Sequence, residues 1–251
     1  MSRRSQRRGG GIGLLLLASQ IMQIGVDRIP PVTLFTVGLN AAIYMKLVPG
    51  LPGVGSACTS NNHVLENKEW QRILMSSFYH LDDMHLYYNM ISFIWKGIKL
   101  ERELGKRNFA ILLALFSVGT QVTMLGLNHA FYEAFNNTQY LYTCAAGFSA
   151  VIFALKVVTT AMSSGNEFVM GLPFAVPTRY ACWVELVVIQ MLVPNASFTG
   201  HLAGILVGLM YVYGPLGYLV KILGKIVSGK INFKEKLHVG WVNKFSLNFL
   251  I

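Results

Sequence analysis

A serine and a histidine, each set among small and apolar residues, carry the chemistry available to this chain. Ser149 lies in CAAGFSAVIFALK, Cys144 to Lys156, and His201 lies in SFTGHLAGILVG, Ser197 to Gly208. A serine hydroxyl becomes a competent nucleophile when an adjacent base takes its proton, and histidine is the usual base. The tetrahedral intermediate of acyl transfer then needs hydrogen-bond donors at its oxyanion. His85 and Asn89, in FYHLDDMHLYYN, are four residues apart and so share a helical face. They are candidate donors alongside the backbone N–H of Ser149. No carboxylate falls at the same depth, since Asp82 and Asp83 read as solvated residues at a helix N-terminus, so a Ser–His dyad is expected rather than a triad. A lone serine or histidine in an apolar helix is more often structural, the serine bonding back to its own helix. Two of them at matching depth point to catalysis. His80, His85 and His201 do not read as a metal set: His80 and His85 are five apart and no carboxylate or cysteine completes them, so no metal and no cofactor are expected.

Placing that pair requires a membrane. The chain has 251 residues, 53% hydrophobic and 13% charged, and its mean hydropathy is +0.48. A soluble domain carries about 25% charged residues. The composition therefore indicates an all-α polytopic membrane protein, with room for about six spans of ~20 residues and no second soluble domain. The formal charge of +10 and pI near 9.6 would suggest nucleic acid in a soluble protein. Here the basic residues flank apolar runs, which is the positive-inside pattern, and no nucleic-acid partner is expected. The three cysteines, Cys58, Cys144 and Cys182, form neither a disulfide framework nor a zinc motif. A Cys58–Cys144 bridge is left open by the sequence if both lie on the lumenal side.

Residues 1–29 read as a basic N-terminal segment followed by a short apolar run, Ile12 to Val26, taken as interfacial or as the leading part of the first span. Residues 30–215 hold the spans: Val32–Val48, Phe78–Ile98, Phe109–Leu127, Cys144–Met162, Tyr180–Val193 and Thr199–Tyr213. Residues 216–251 read as a basic amphipathic cytosolic tail with Lys221, Lys225, Lys230 and Lys234. Lysine and arginine gather at the N-terminus, at 99–107, at Arg179 and after 220, so both termini are expected in the cytosol, and a seventh span at 12–26 is disfavoured. Sequons at Asn136 and Asn195 fall in loops on the far side. Spans two, four and six then start at the lumen, with His85, Asn89, Ser149 and His201 roughly 5–15 Å below the boundary. Gly200, Gly204 and Gly208 on span six, and Ala146, Ala150 and Ala154 on span four, make small-xxx-small faces that let the two helices approach closely. Lys156 and Glu185, the deepest charges of spans four and five, are expected to form a structural ion pair.

GFSA at 147–150, HLAG at 201–204, HLYYN at 85–89, Trp70 with Arg72, and LERELG at 100–105 occur in order across residues 30 to 215. In this the chain resembles the rhomboid family of intramembrane serine proteases. The resemblance implies a six-transmembrane-helix rhomboid bundle, with Ser149 as nucleophile and His201 as general base. It implies His85, Asn89 and Gly147 on the oxyanion and substrate side, and Trp70 and Arg72 in a membrane-dipping first loop. Its substrates would be transmembrane proteins in the lipid bilayer, cut in or beside their membrane segments. The stretches WKGIKLERELG, YACWVEL and GHLAGILVGLMY are similar to an endoplasmic reticulum branch of the family, which implies a part in membrane-protein quality control and ER-associated degradation. Two departures stand out. Ala150 replaces the glycine that follows the family's serine, so a rhomboid-like pseudoprotease that binds clients without cleaving them is the alternative. The chain ends in SLNFLI without an acidic ubiquitin-binding helix or Arg-rich motif, so ubiquitin and AAA ATPase binding are not expected. A transporter is disfavoured, because no inverted repeat or pair of broken spans is present.

Overall fold

Glycine, proline and short polar caps divide the apolar sequence into helices. The computed structural model describes residues 11–169 and 171–227. Helix α1 (Ile12–Ile24) stops at Gly25, whose φ of 89° suits glycine, and a 3-10 turn at Val26–Arg28 leads into α2 (Pro31–Tyr44), which starts on a proline. A long connection follows, with two short helices, α3 (Val54–Ala57) and α4 (Gln71–Met75). Helix α5 (Asp83–Leu104) is capped by the Asp82 carboxylate, which accepts from the His85 N–H at 2.7 Å. After Gly105 come the long α6 (Lys106–Phe135), the short α7 (Gln139–Tyr142) and α8 (Ser149–Ala161). An antiparallel hairpin, β1 (Asn166–Phe168) with β2 (Ala175–Pro177), pairs Glu167 opposite Val176. Helices α9 (Ala181–Leu192) and α10 (Phe198–Val212) complete the bundle, and α11 (Leu216–Val227) leaves α10 at a bend of 68°.

Helix α8 is the axis of the molecule. Apart from Ser149, Lys156 and two threonines it is apolar, and it is buried almost throughout. One side joins Phe148, Val151 and Leu155 to Met90, Phe93, Phe109 and Phe116 of α5 and α6, with the Phe93 and Phe148 rings edge to face at 5.1 Å. The other side joins Phe153 and Val157 to Cys182, Leu186 and Ile205 of α9 and α10. Gly204 and Gly208 of α10 face Ala150, Ala154 and Val157 so closely that a methyl group at either glycine would overlap α8. The small-residue faces therefore do bring spans four and six together, but Ala146 is not part of the stripe, because α8 begins only at Ser149.

Two expectations are corrected. Ile12–Val26 is neither a lead-in to the first span nor a segment laid across the bundle end. The Gly13 N–H donates to the Asp83 carboxylate at 3.0 Å, and the Arg102 guanidinium donates to the Arg28 carbonyl at 2.8 Å, so α1 lies along α5 and buries Leu17 in the main core. Asp83 is accordingly not solvated: it is 3% exposed and satisfies the free amide end of α1. Gly11 lies at the Asp83 end of the bundle, whereas α11 packs its Gly224 against Asn108 at the opposite end. Residues 13 and 224 thus lie at opposite ends of the bundle. Residues 1–10, and Lys230 and Lys234 of the expected tail, lie outside the described residues. Among the described helices, α6 alone is long and apolar enough to cross a bilayer by itself, and α10 with α11 meets that test as a bent pair.

Candidate active site

Ser149 is the first residue of α8, and the chain before it is held extended rather than helical. Thr59 and Ala145 exchange backbone hydrogen bonds of 2.8 and 2.9 Å, and a Cys58–Cys144 disulfide lies beside them. Two residues further on, the Gly147 N–H donates to the Ser76 carbonyl at 3.0 Å. This lead-in leaves the first backbone N–H groups of α8 without intrahelical acceptors, at the positive end of the helix dipole. The nucleophile candidate and a set of oxyanion donors therefore come from the same turn.

His201 is the fourth residue of α10, whose start is fixed by the Ser197 hydroxyl accepting from the Gly200 N–H at 3.1 Å. The close packing of α8 and α10 brings His201 Nε2 to 3.1 Å from Ser149 Oγ. With Nε2 unprotonated, the Ser149 hydroxyl donates to it, the geometry a general base requires. The imidazole is 5% exposed and lies over the Phe153 ring at a centroid distance of 4.6 Å and an interplanar angle of 28°. Among the described residues, Nδ1 meets no carboxylate or other partner. The pair has no third polar member among the described residues, and an aromatic face lies on the far side of the imidazole. Phe153 was missed from the sequence, although it lies four residues after Ser149 and so shares its helical face.

His85 and Asn89 lie across from Gly147. A methyl group on Gly147 would be 2.8 Å from His85 Cε1, 2.9 Å from His85 Nε2 and 3.7 Å from Asn89 Nδ2. Gly147 also has φ 135°, a conformation L side chains rarely adopt. Asn89 is buried and its Nδ2 has no partner among the described residues, a free donor pointing to an unmet acceptor. His80 lies next to His85, ring centroids 5.1 Å apart. The five expected site residues, Ser149, His201, His85, Asn89 and Gly147, thus come together at one end of the bundle.

The first loop is built around Arg72 rather than Trp70. Arg72 is 6% exposed, pairs with Glu69 and donates to the carbonyls of Cys58 at 2.9 Å and Gly55 at 3.2 Å. Thr59 Oγ1 donates to the Ser76 hydroxyl at 2.8 Å, linking this loop to the residue that holds Gly147. Trp70 is half-exposed. Further along α8, Lys156 Nζ lies 3.3 Å from Glu185, the expected partner, and 2.9 Å from Glu167 of β1, which was not expected.

The arrangement of a Ser–His pair at two helix starts, with a free amide donor opposite, is fitted to acyl transfer. The Rhomboid domain family model matches residues 67–217, which contain all of these groups, and the chain belongs to the rhomboid family. The chain is 52% identical over 213 residues to Rhomboid-related protein 4 of Homo sapiens, covering 84% of this chain and 66% of that one. It is 37% identical to Rhomboid-like protein 14, mitochondrial, of Arabidopsis thaliana, covering 82% and 63%. Rhomboid-type serine protease 2 of Neurospora crassa is 32% identical over 173 residues, covering 66% and 59%. The chain spans 66% of the length of the human relative.

Proposed function

We propose that the chain is an intramembrane serine endopeptidase that cuts transmembrane proteins in or beside their membrane segments. The 3.1 Å contact between Ser149 Oγ and His201 Nε2 is the observation that carries this reading. As Oγ attacks the scissile carbonyl, its proton passes to Nε2. The oxyanion is met by the Ser149 N–H, the Asn89 amide and His85. His201 then returns the proton to the leaving amine, and a water molecule repeats the sequence to release the acyl group. In this reading α2, α5, α6, α8, α9 and α10 are the six crossings and α1 is a seventh helix along α5.

The dyad end is the lumenal end. The Cys58–Cys144 disulfide lies there, and disulfides persist in oxidising compartments. The sequon residues Asn136 and Asn195 are exposed at the same end. These features support a membrane of the secretory pathway; quality control of membrane proteins in the endoplasmic reticulum is the setting we propose.

The purified chain, reconstituted with a single-span substrate that contains a helix-breaking segment, tests the reading. Cleavage is expected, and it is lost in both Ser149→Ala and His201→Ala. Binding without cleavage is the pseudoprotease result, the reading that Ala150 in place of the family's glycine supports.

A further inference from the structure

Away from the dyad, α1 and α5 leave a groove of about 400 Å³ between them, lined by Gln20, Gln23, Arg28, Trp95, Ile98 and Arg102. It lies toward the Arg102 end of α5, near the exposed Lys99, Lys106 and Arg107. Both arginines are exposed, and among the described residues neither forms an ion pair. Of the two carboxylates adjacent to Arg102 in sequence, Glu101 is already used. Glu101 is 3% exposed and accepts from the Val32 and Thr33 N–H groups and the Thr33 hydroxyl at 2.7–2.9 Å. Asp27 and Glu103 do not line the groove. Two guanidinium groups therefore face a cavity with no protein anion in it.

The rest of the lining mixes two amides with three apolar side chains. Gln20 and Gln23 sit in the last two turns of α1 and reach each other through a 3.4 Å hydrogen bond, which leaves most of their donors and acceptors open. Amides beside a bilayer are costly without partners. Trp95, 60% exposed, and Ile98 of α5, with Ile24 of α1, supply the apolar lining. Cationic donors, amides and apolar side chains in one groove offer a partner to each part of a phospholipid: phosphate, glycerol-ester oxygens and acyl chain. Guanidinium groups bind phosphate oxygens in bidentate fashion, and basic pockets between membrane helices on the cytosolic side suit anionic headgroups.

We propose that the α1–α5 groove is a binding site for one anionic phospholipid of the leaflet opposite the dyad, its phosphate held between Arg28 and Arg102. Helix α1 thereby joins α5 through a lipid as well as through Gly13 and Asp83.

The test is native mass spectrometry of the full chain, delipidated in mild detergent and titrated with phosphatidylinositol or with phosphatidylcholine of the same chains. One phosphatidylinositol adduct is expected, tighter than that of phosphatidylcholine by roughly 30-fold for two arginines, and roughly fivefold weaker in Arg28→Gln alone. The Arg28 side chain makes no hydrogen bond or ion pair among the described residues, so this variant keeps the fold even if Arg28→Gln with Arg102→Gln does not. Arg102→Lys keeps the adduct. Excess glycerophosphoinositol or inorganic phosphate does not displace the lipid. Equal binding of the two lipids, an adduct unchanged by Arg28→Gln, or displacement by the free phosphates would each overturn the proposal.

Discussion

The carbonyl of Ala150 lies against the Cα of Gly204, with no space between them for a methyl group. This contact is one residue from Ser149 and three from His201, so it sets how far apart the hydroxyl and the imidazole can be. Gly204→Ala is expected to force α8 and α10 apart, at a cost of about 1–3 kcal/mol, and to lower cleavage at least tenfold. Gly119→Ala is the control: its methyl would meet Val207 at an ordinary 3.6 Å and should change neither quantity. Thermal unfolding and turnover on one preparation check both variants.

Gly147→Ala puts a methyl against the His85 ring at a backbone position with φ 135°. The fold is tied down nearby by the disulfide and the Thr59–Ala145 pairing, so the damage is expected at the oxyanion side. Cleavage should fall by roughly 10²–10³, the scale of a lost oxyanion donor, with a smaller change in unfolding temperature. Full activity in this variant would remove His85 and Asn89 from the proposed mechanism.

Phe153→Leu keeps an apolar side chain beneath His201 but removes the stacked ring. Aromatic pairs contribute about 0.5–1.5 kcal/mol beyond burial, so kcat is expected to fall several-fold to about tenfold with KM little changed. Steady-state kinetics against the single-span substrate separate the two parameters.

Lys156 holds two carboxylates, Glu167 of the hairpin and Glu185 of α9. Lys156→Met leaves both without their cation in a part-buried setting and is expected to cost about 3–5 kcal/mol. Exchanging charges as Lys156→Glu with Glu185→Lys should restore stability only in part, because Glu167 then faces another carboxylate. Adding Glu167→Gln should recover more. Unfolding midpoints of the four proteins test the series.

The Ser149–His201 contact was legible because GFSA and HLAG combine a reactive side chain with small neighbours, and small residues mark where helices meet. The start of α8 was not. Cys144–Met162 reads as one apolar run, and the pairing that pulls Ala145 out of the helix comes from Thr59, far away in sequence. The disulfide was left open for the same reason. Asp83 was misread because its partner is a backbone N–H on α1, which no side-chain pattern reveals. The course of α1 was hidden by basic flanks, while Gly13, which lets its backbone meet that of α5, looked like an ordinary glycine. Glu167 escaped notice because the 163–179 stretch reads as a loop, not as a hairpin that returns to Lys156.

The central claim is that the Ser149 hydroxyl is activated by His201, and covalent labelling measures this most directly. The reconstituted chain is treated with a fluorophosphonate, digested and mapped by mass spectrometry. An adduct is expected on the peptide containing Ser149, absent in Ser149→Ala and lost or greatly slowed in His201→Ala. A folded protein that takes no label, or one whose Ser149 labels equally fast without His201, would contradict it.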